Sequence, residues 1–170
     1  MRHRPTEHSQ RYSLYSAEER RRRDASVWTI VQGVLAPLQF AVFLISFGLV
    51  LRYLLTGEGL AVANASILTK TAVLYTIMVT GSIWEKDVFG RYLFAPAFFW
   101  EDVVSMGVIA LHTAYCVALF WQLLSPLNLI LLALAAYATY VVNAAQFLLK
   151  LRAARLGQPV AAGKLAEVAP

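Results

Sequence analysis

Charge is scarce in this chain. Of its 170 residues, 15% are Asp, Glu, Lys or Arg, against about 25% in an ordinary soluble domain. Apolar residues make up 59%, and the mean hydropathy is +0.58. That balance argues against a soluble globular enzyme and against disorder over most of the chain. Cysteine is nearly absent. The single Cys116 excludes a disulfide framework and any Cys-rich zinc or iron–sulfur site. Nine glycines and six prolines are too few for a collagenous or low-complexity chain. What remains is one domain's length of a small polytopic membrane protein.

The net charge is +5, and its placement gives it meaning. Seven of the 15 basic residues precede Val27, among them the run Arg20 to Arg23, and Lys150, Arg152, Arg155 and Lys164 follow Leu149. Basic residues at the ends of apolar runs follow the membrane-orientation pattern. Once those runs are removed, no surface is left for a nucleic-acid-reading module.

Four runs are long enough to cross a bilayer: residues 27–51, 66–84, 103–124 and 127–149. The first carries no charge and makes about 37 Å of helix, with Pro37 expected to kink it. The second contains Lys70, expected to snorkel to the far interface. The third contains His112. Ser125 and Pro126 leave only a short turn before the fourth, so the last two spans are antiparallel neighbours. The expected fold is all-α, a four-helix transmembrane bundle over 27–150. A cytoplasmic segment of residues 1–26 precedes it, and a cytoplasmic tail of residues 151–170 follows. Ser16-Ala17-Glu18-Glu19 reads as a capping box that starts a short charged helix to about Asp24. Residues 1–12 and 158–170 are expected to be mobile.

Four spans put both termini on one side. Termini and middle loop together hold 13 basic residues, and the other two loops hold only Arg52. Both termini and residues 85–102 are therefore expected on the cytoplasmic side.

Polar side chains within a bilayer need a reason. In the first span Trp28, Gln32, Gln39 and Ser46 share a face; in the third, Glu101, Ser105, His112 and Tyr115 do. In the fourth, Thr139, Tyr140, Asn143 and Gln146 cluster. These positions suggest a pocket open to the cytoplasm and floored by His112. Each Asn or Gln could equally be an interhelical hydrogen bonder.

The middle loop is rich in aromatics: Trp84, Phe89, Tyr92, Phe94, Phe98, Phe99 and Trp100 surround Glu85, Asp87, Glu101 and Asp102. A carboxyl beside apolar surface has its charged form desolvated, which is how a general acid is made near neutral pH. Asp87 and Arg91 have the spacing of an i,i+4 ion pair, and Glu85 has Lys86 beside it. That ranks Glu101 and Asp102 above Glu85 and Asp87 as acid candidates.

Four stretches carry a resemblance: RRRDASVWTIVQGVLAPLQF (21–40), IWEKDVFGRYLFAPAFFWEDVVSM (83–106), ALHTAYC (110–116) and AAYATYVVNAAQFLLKLRAARL (135–156). They resemble the bacteriochlorophyllide vinyl hydratase family of phototrophic bacteria, over about residues 14–156. The resemblance implies addition of water to the 3-vinyl group of a chlorophyllide, giving a 3-(1-hydroxyethyl) group, a hydro-lyase reaction. It implies a multi-pass protein of the bacterial inner, intracytoplasmic membrane. Partners would be the pigment, the bilayer and neighbouring pigment-synthesis enzymes. No cofactor is expected, since the substrate carries its own magnesium.

The residues suit that chemistry. Glu101 is the first acid candidate, with Asp102 or Glu85 to orient water. His112 would be either the fifth ligand of the substrate magnesium or a base. Trp84, Phe98, Phe99, Trp100 and Tyr115 would cover the macrocycle, with Gln32, Gln39, Asn143 and Gln146 as polar contacts. Arg91 or an arginine of 20–23 would meet the propionate. The alternative is a non-enzymatic pigment-binding or assembly protein, which would need His112 and the aromatics but not the carboxyls.

Overall fold

Ser16 starts the first helix as expected. Its hydroxyl accepts from the Glu19 amide, and the Glu19 carboxylate accepts from the Ser16 amide, a complete capping box. The computed structural model describes residues 14–156, with side chains through Arg152; the expectation of mobile tails lies outside the described residues. Five helices follow one another: α1 (Ala17–Ala25), α2 (Val27–Thr56), α3 (Leu60–Phe89), α4 (Phe99–Phe120) and α5 (Pro126–Leu156). No described residue is in a strand. The last four helices are long and apolar enough to cross a membrane, and the chain is a polytopic membrane bundle.

Local chemistry sets each boundary. Ser26 ends α1 and caps α2 through its hydroxyl on the Trp28 amide. α2 runs unbroken through Pro37 to Gly57, whose φ of 73° is the left-handed cap that glycine adopts without strain. At the far end of the third apolar run, α4 stops at Phe120, four residues before the expected limit. Gln122 takes a φ of 53°, its amide donates to the Leu119 carbonyl, and the Leu123 amide donates to the Ala118 carbonyl. These two bonds form a Schellman cap, which apolar patterning cannot reveal. Pro126 then opens α5, where its missing N–H costs nothing.

α2 pairs with α3 and α4 with α5 as two antiparallel hairpins, and thinner contacts of α3 with α4 and α2 with α5 close the bundle. The core holds Phe43, Val50, Ile67, Leu74, Val108, Tyr115, Ile130 and Tyr137. Many apolar residues face outward instead, including Ile30, Ile45, Val79 and Leu148, as suits a bundle whose solvent is lipid. α3 has 30 residues and is about 45 Å long, more than the roughly 30 Å of hydrocarbon. The charged turn after Trp84 therefore projects beyond the span. The apolar runs end at Trp84 and resume at Val103, so residues 85–102, with their four carboxyls, fall between them.

Candidate active site

At this projecting end the chain folds back on the bundle. Gly90, with φ 82°, caps α3 and turns the backbone. Phe94 then adopts φ 59°, a sparsely populated conformation for a bulky residue. Its amide donates to Asp102 Oδ2 at 2.7 Å, and the next amide, of Ala95, donates to Glu85 Oε2 at 3.2 Å. Two successive amides of one loop thus hold two carboxyls from different helices. Glu85 is 5% exposed and Asp102 3%.

The two carboxyls are close enough for the charge of one to act on the other. Two like charges side by side in a buried site disfavour double ionisation. Burial pushes both carboxyls above their ordinary range. For Glu85 the Asp102 charge adds to the rise, while for Asp102 the Phe94 amide opposes it. Both carboxyls are thereby biased toward their protonated forms.

An aromatic cluster is built on the same segments. Phe98, 2% exposed, has Trp84, Phe89, Phe147 and Tyr15 around it at ring-centroid distances of 5.7, 5.9, 5.8 and 6.4 Å. Trp84 is fixed by its indole N–H on Thr29 Oγ1 at 2.9 Å. Glu101 points into the bundle as expected and forms an ion pair with Lys150. The Lys150 ammonium also sits 5.1 Å from the Phe98 ring centre. One turn deeper, Asn143 donates to Ser105 at 2.8 Å.

The expected Asp87–Arg91 pair does not form. Asp87 accepts from Ser26 Oγ at 2.6 Å, because α1 packs against α3 and brings the hydroxyl to it. Arg91 is exposed. Phe99 and Trp100, at 44% and 69% exposure, face outward.

Deeper in the bundle lies a second polar group. His112 is fully buried, and its Nδ1–H donates to the Val108 carbonyl at 2.8 Å. That leaves Nε2 as an acceptor, 3.0 Å from Lys70 Nζ. The expectation that Lys70 snorkels to the interface is corrected here. Lys70 is fully buried, with Nζ 4.0 Å from the Tyr140 ring centre and 5.4 Å from that of Tyr137. Its position faces the core of the bundle, and imidazole and aromatic faces replace the water that it would otherwise seek. Tyr115 donates to Asn64 and Gln32 donates to Thr80. Both amide atoms of Gln39, Oδ1 of Asn143 and Oε1 of Gln146 are buried without a hydrogen-bond partner among the described residues.

The structure thus gathers Glu85, Glu101, Asp102, Trp84 and Phe98 at the mouth. It places Gln39, Asn143 and His112 further along the interior. Sequence reasoning missed Lys150, Tyr15, Phe147 and the amides of Phe94 and Ala95. For Lys150 a signal existed, since Asn143, Phe147 and Lys150 recur at helical spacing on one face. For the amides there was none, because backbone direction in an irregular loop leaves no mark in residue type.

Two buried carboxyls clasped by successive loop amides, beside an aromatic cluster at one end of a bundle of four long apolar helices, mark a polytopic membrane protein with a candidate acid–base site. The family model described as 2-vinyl bacteriochlorophyllide hydratase matches residues 15–153, and the chain belongs to that family. It is 70% identical over 149 residues to a Cereibacter sphaeroides protein named 2-vinyl bacteriochlorophyllide hydratase, covering 87% of this chain and 92% of that relative. It is 67% identical over 147 residues to the Rhodobacter capsulatus protein of the same name, covering 86% and 85%. No solved structure matches.

Proposed function

We propose that this chain adds water to the vinyl group of a bacteriochlorophyllide-type pigment, as a hydro-lyase of bacteriochlorophyll synthesis. The 2-vinyl of the family description and the 3-vinyl used above are one substituent under two numberings of the macrocycle. The observation that carries the mechanism is the amide-clasped pair Glu85–Asp102. The neutral member gives its proton to the terminal vinyl carbon. The adjacent carbon becomes a cation, which the conjugated ring delocalises. Water adds there and surrenders a proton to the carboxylate member, so the pair ends with the one proton it began with. The vinyl group and one water become a 1-hydroxyethyl group. No redox step occurs, and no cofactor of the protein's own is required.

Glu101 faces Lys150, so the acid role moves from Glu101, first on sequence grounds, to the neighbouring pair. Lys70 occupies Nε2 of His112, so His112 could meet the substrate magnesium only if that lysine withdrew. Trp84 and Phe98 form the apolar wall that keeps stray water from the cation. Neighbouring enzymes of pigment synthesis remain the natural partners of a membrane-embedded amphiphilic substrate.

The test is direct. Purified protein in detergent is incubated with chlorophyllide a, and the product is one water heavier, with heavy oxygen incorporated when the solvent water is so labelled. A pigment-binding protein without activity would return the substrate unchanged. The orientation belongs to the same reading. Residues 85–102 and both termini face the cytoplasm of an inner, intracytoplasmic membrane. Reporters fused to either terminus or placed in 85–102 read cytoplasmic, and reporters near Gly57 or Ser125 read the opposite side. A periplasmic signal from the C-terminus would overturn this placement.

A further inference from the structure

Lys70 is an ionisable amine at membrane depth with no carboxylate partner among the described residues. An ionisable group is expensive to keep there and marks function by default. Its neighbours are neutral: the acceptor nitrogen of His112 and the faces of Tyr137 and Tyr140. Tyr137 is in turn fixed by a hydrogen bond with Ser46 at 2.5 Å. The site therefore draws on all four spanning helices: Ser46 from α2, Lys70 from α3, His112 from α4 and the tyrosines from α5.

This cage lies on the seam between the two hairpins, where packing is thinner than within either. The orphaned amides follow the same seam. Gln39 is one turn toward the mouth from Phe43, whose ring is 5.0 Å from that of Tyr140. Asn143 is one turn toward the mouth from Tyr140 on the antiparallel α5. Gln39 and Asn143 thus stand at one level, between the cage and the carboxyl pair, each with buried polar atoms unpaired. Buried polar atoms without partners cost free energy, which a ligand in the seam would recover.

We propose that Lys70, held on His112 and over Tyr137 and Tyr140, binds the carboxylate side chain of the tetrapyrrole, which enters the seam between the hairpins with its vinyl end at Glu85 and Asp102. This rests on the hydratase reading for the identity of the ligand. The spacing suits it. Ten residues of α4 separate Asp102 from His112, about 15 Å along the axis. That length is comparable with a macrocycle measured from its vinyl group to an extended propionate. The carboxylate supplies the counter-ion that Lys70 lacks, and the ring lies along Gln39, Ser105 and Asn143. Arg91, exposed on the loop, is then not the carboxylate partner.

The experiment compares two neutral-core probes, magnesium-free pheophorbide a and its methyl ester, with the full-length protein in detergent. Binding is read from the shift of the pigment absorption. Wild type binds the acid at least tenfold more tightly than the ester. Lys70→Met binds the two equally, whereas Lys70→Arg and Arg91→Ala keep the preference. Should Lys70→Met not accumulate, Lys70→Gln, which can still donate to His112, must lose the preference in the same way. Equal binding of acid and ester by wild type, an undiminished preference in the Lys70 variants, or its loss in Arg91→Ala would each overturn the assignment. Hydration is assayed alongside. Hydration without acid preference sinks the Lys70 site and leaves the hydratase reading standing. A Lys70-dependent preference without hydration does the reverse.

Discussion

Glu85→Gln and Asp102→Asn each lose turnover by about 10²–10⁴-fold, the usual cost of removing a general acid or base. Both variants keep the local hydrogen bonds. The new amide oxygen still accepts from Ala95 or Phe94, and the new NH₂ donates to the remaining carboxylate. The shared proton alone disappears, so pigment binding stays near wild type while hydration collapses. Glu101→Gln, which changes a residue paired with Lys150, stays within about tenfold of wild type by the same scale. Single-turnover hydration of chlorophyllide a measures all three. Collapse in Glu101→Gln with near-normal turnover in the other two would return the acid to Glu101.

The pH dependence has a fixed sign. Burial holds the Glu85 and Asp102 protons more tightly in the folded chain than in the unfolded one. The active, half-protonated pair therefore fails as pH rises through those elevated values, and the hydration rate falls with it. Stability moves the same way. The contribution is full below the ordinary carboxyl range and is lost as pH rises through the folded values. Glu85→Gln flattens the alkaline limb of a melting-temperature profile; an unchanged limb would mean that the shared proton is not there.

Lys150→Met has the second large effect, and it falls on stability. Lys150 reaches Glu101 across from α5 to α4, where Glu101 has only 9% of its side chain exposed. Removing one partner of a mostly buried pair strands the other charge, at a cost of about 3 kcal/mol. The Phe98 contact of the ammonium is lost as well. Adding Glu101→Gln to Lys150→Met removes the stranded charge and restores most of the loss. Thermal unfolding in detergent, followed by circular dichroism, measures the cycle. A double variant no more stable than Lys150→Met would show that the pair contributes through packing and not through charge.

The sequence by itself determined the architecture. Apolar runs longer than a bilayer is thick can be satisfied only as helices, since lipid offers the backbone no partner, and four of them in one short chain make a bundle. Ser16 with Glu19 fixed a helix start through bonds between near neighbours, which short-range pattern reveals. The aromatic, acidic loop of residues 85–102 marked the candidate site for the same local reason, a composition that no solvated loop has.

Only the tertiary structure decided the partners. Glu85 and Asp102 are on different helices, and their meeting depends on how Gly90 and Phe94 turn the chain so that two amides face inward. Glu101 was ranked first from its helical face, and that face proved to be buried. What stands opposite it, Lys150, comes from α5 and is invisible to spacing along α4. Lys70 shows the same limit most sharply. One lysine in an apolar run reads as a side chain that escapes to water, and only the packing of α4 and α5 around α3 gives it His112, Tyr137 and Tyr140 instead. Periodicity says which way a side chain points, and contact between helices far apart in the chain says what it meets.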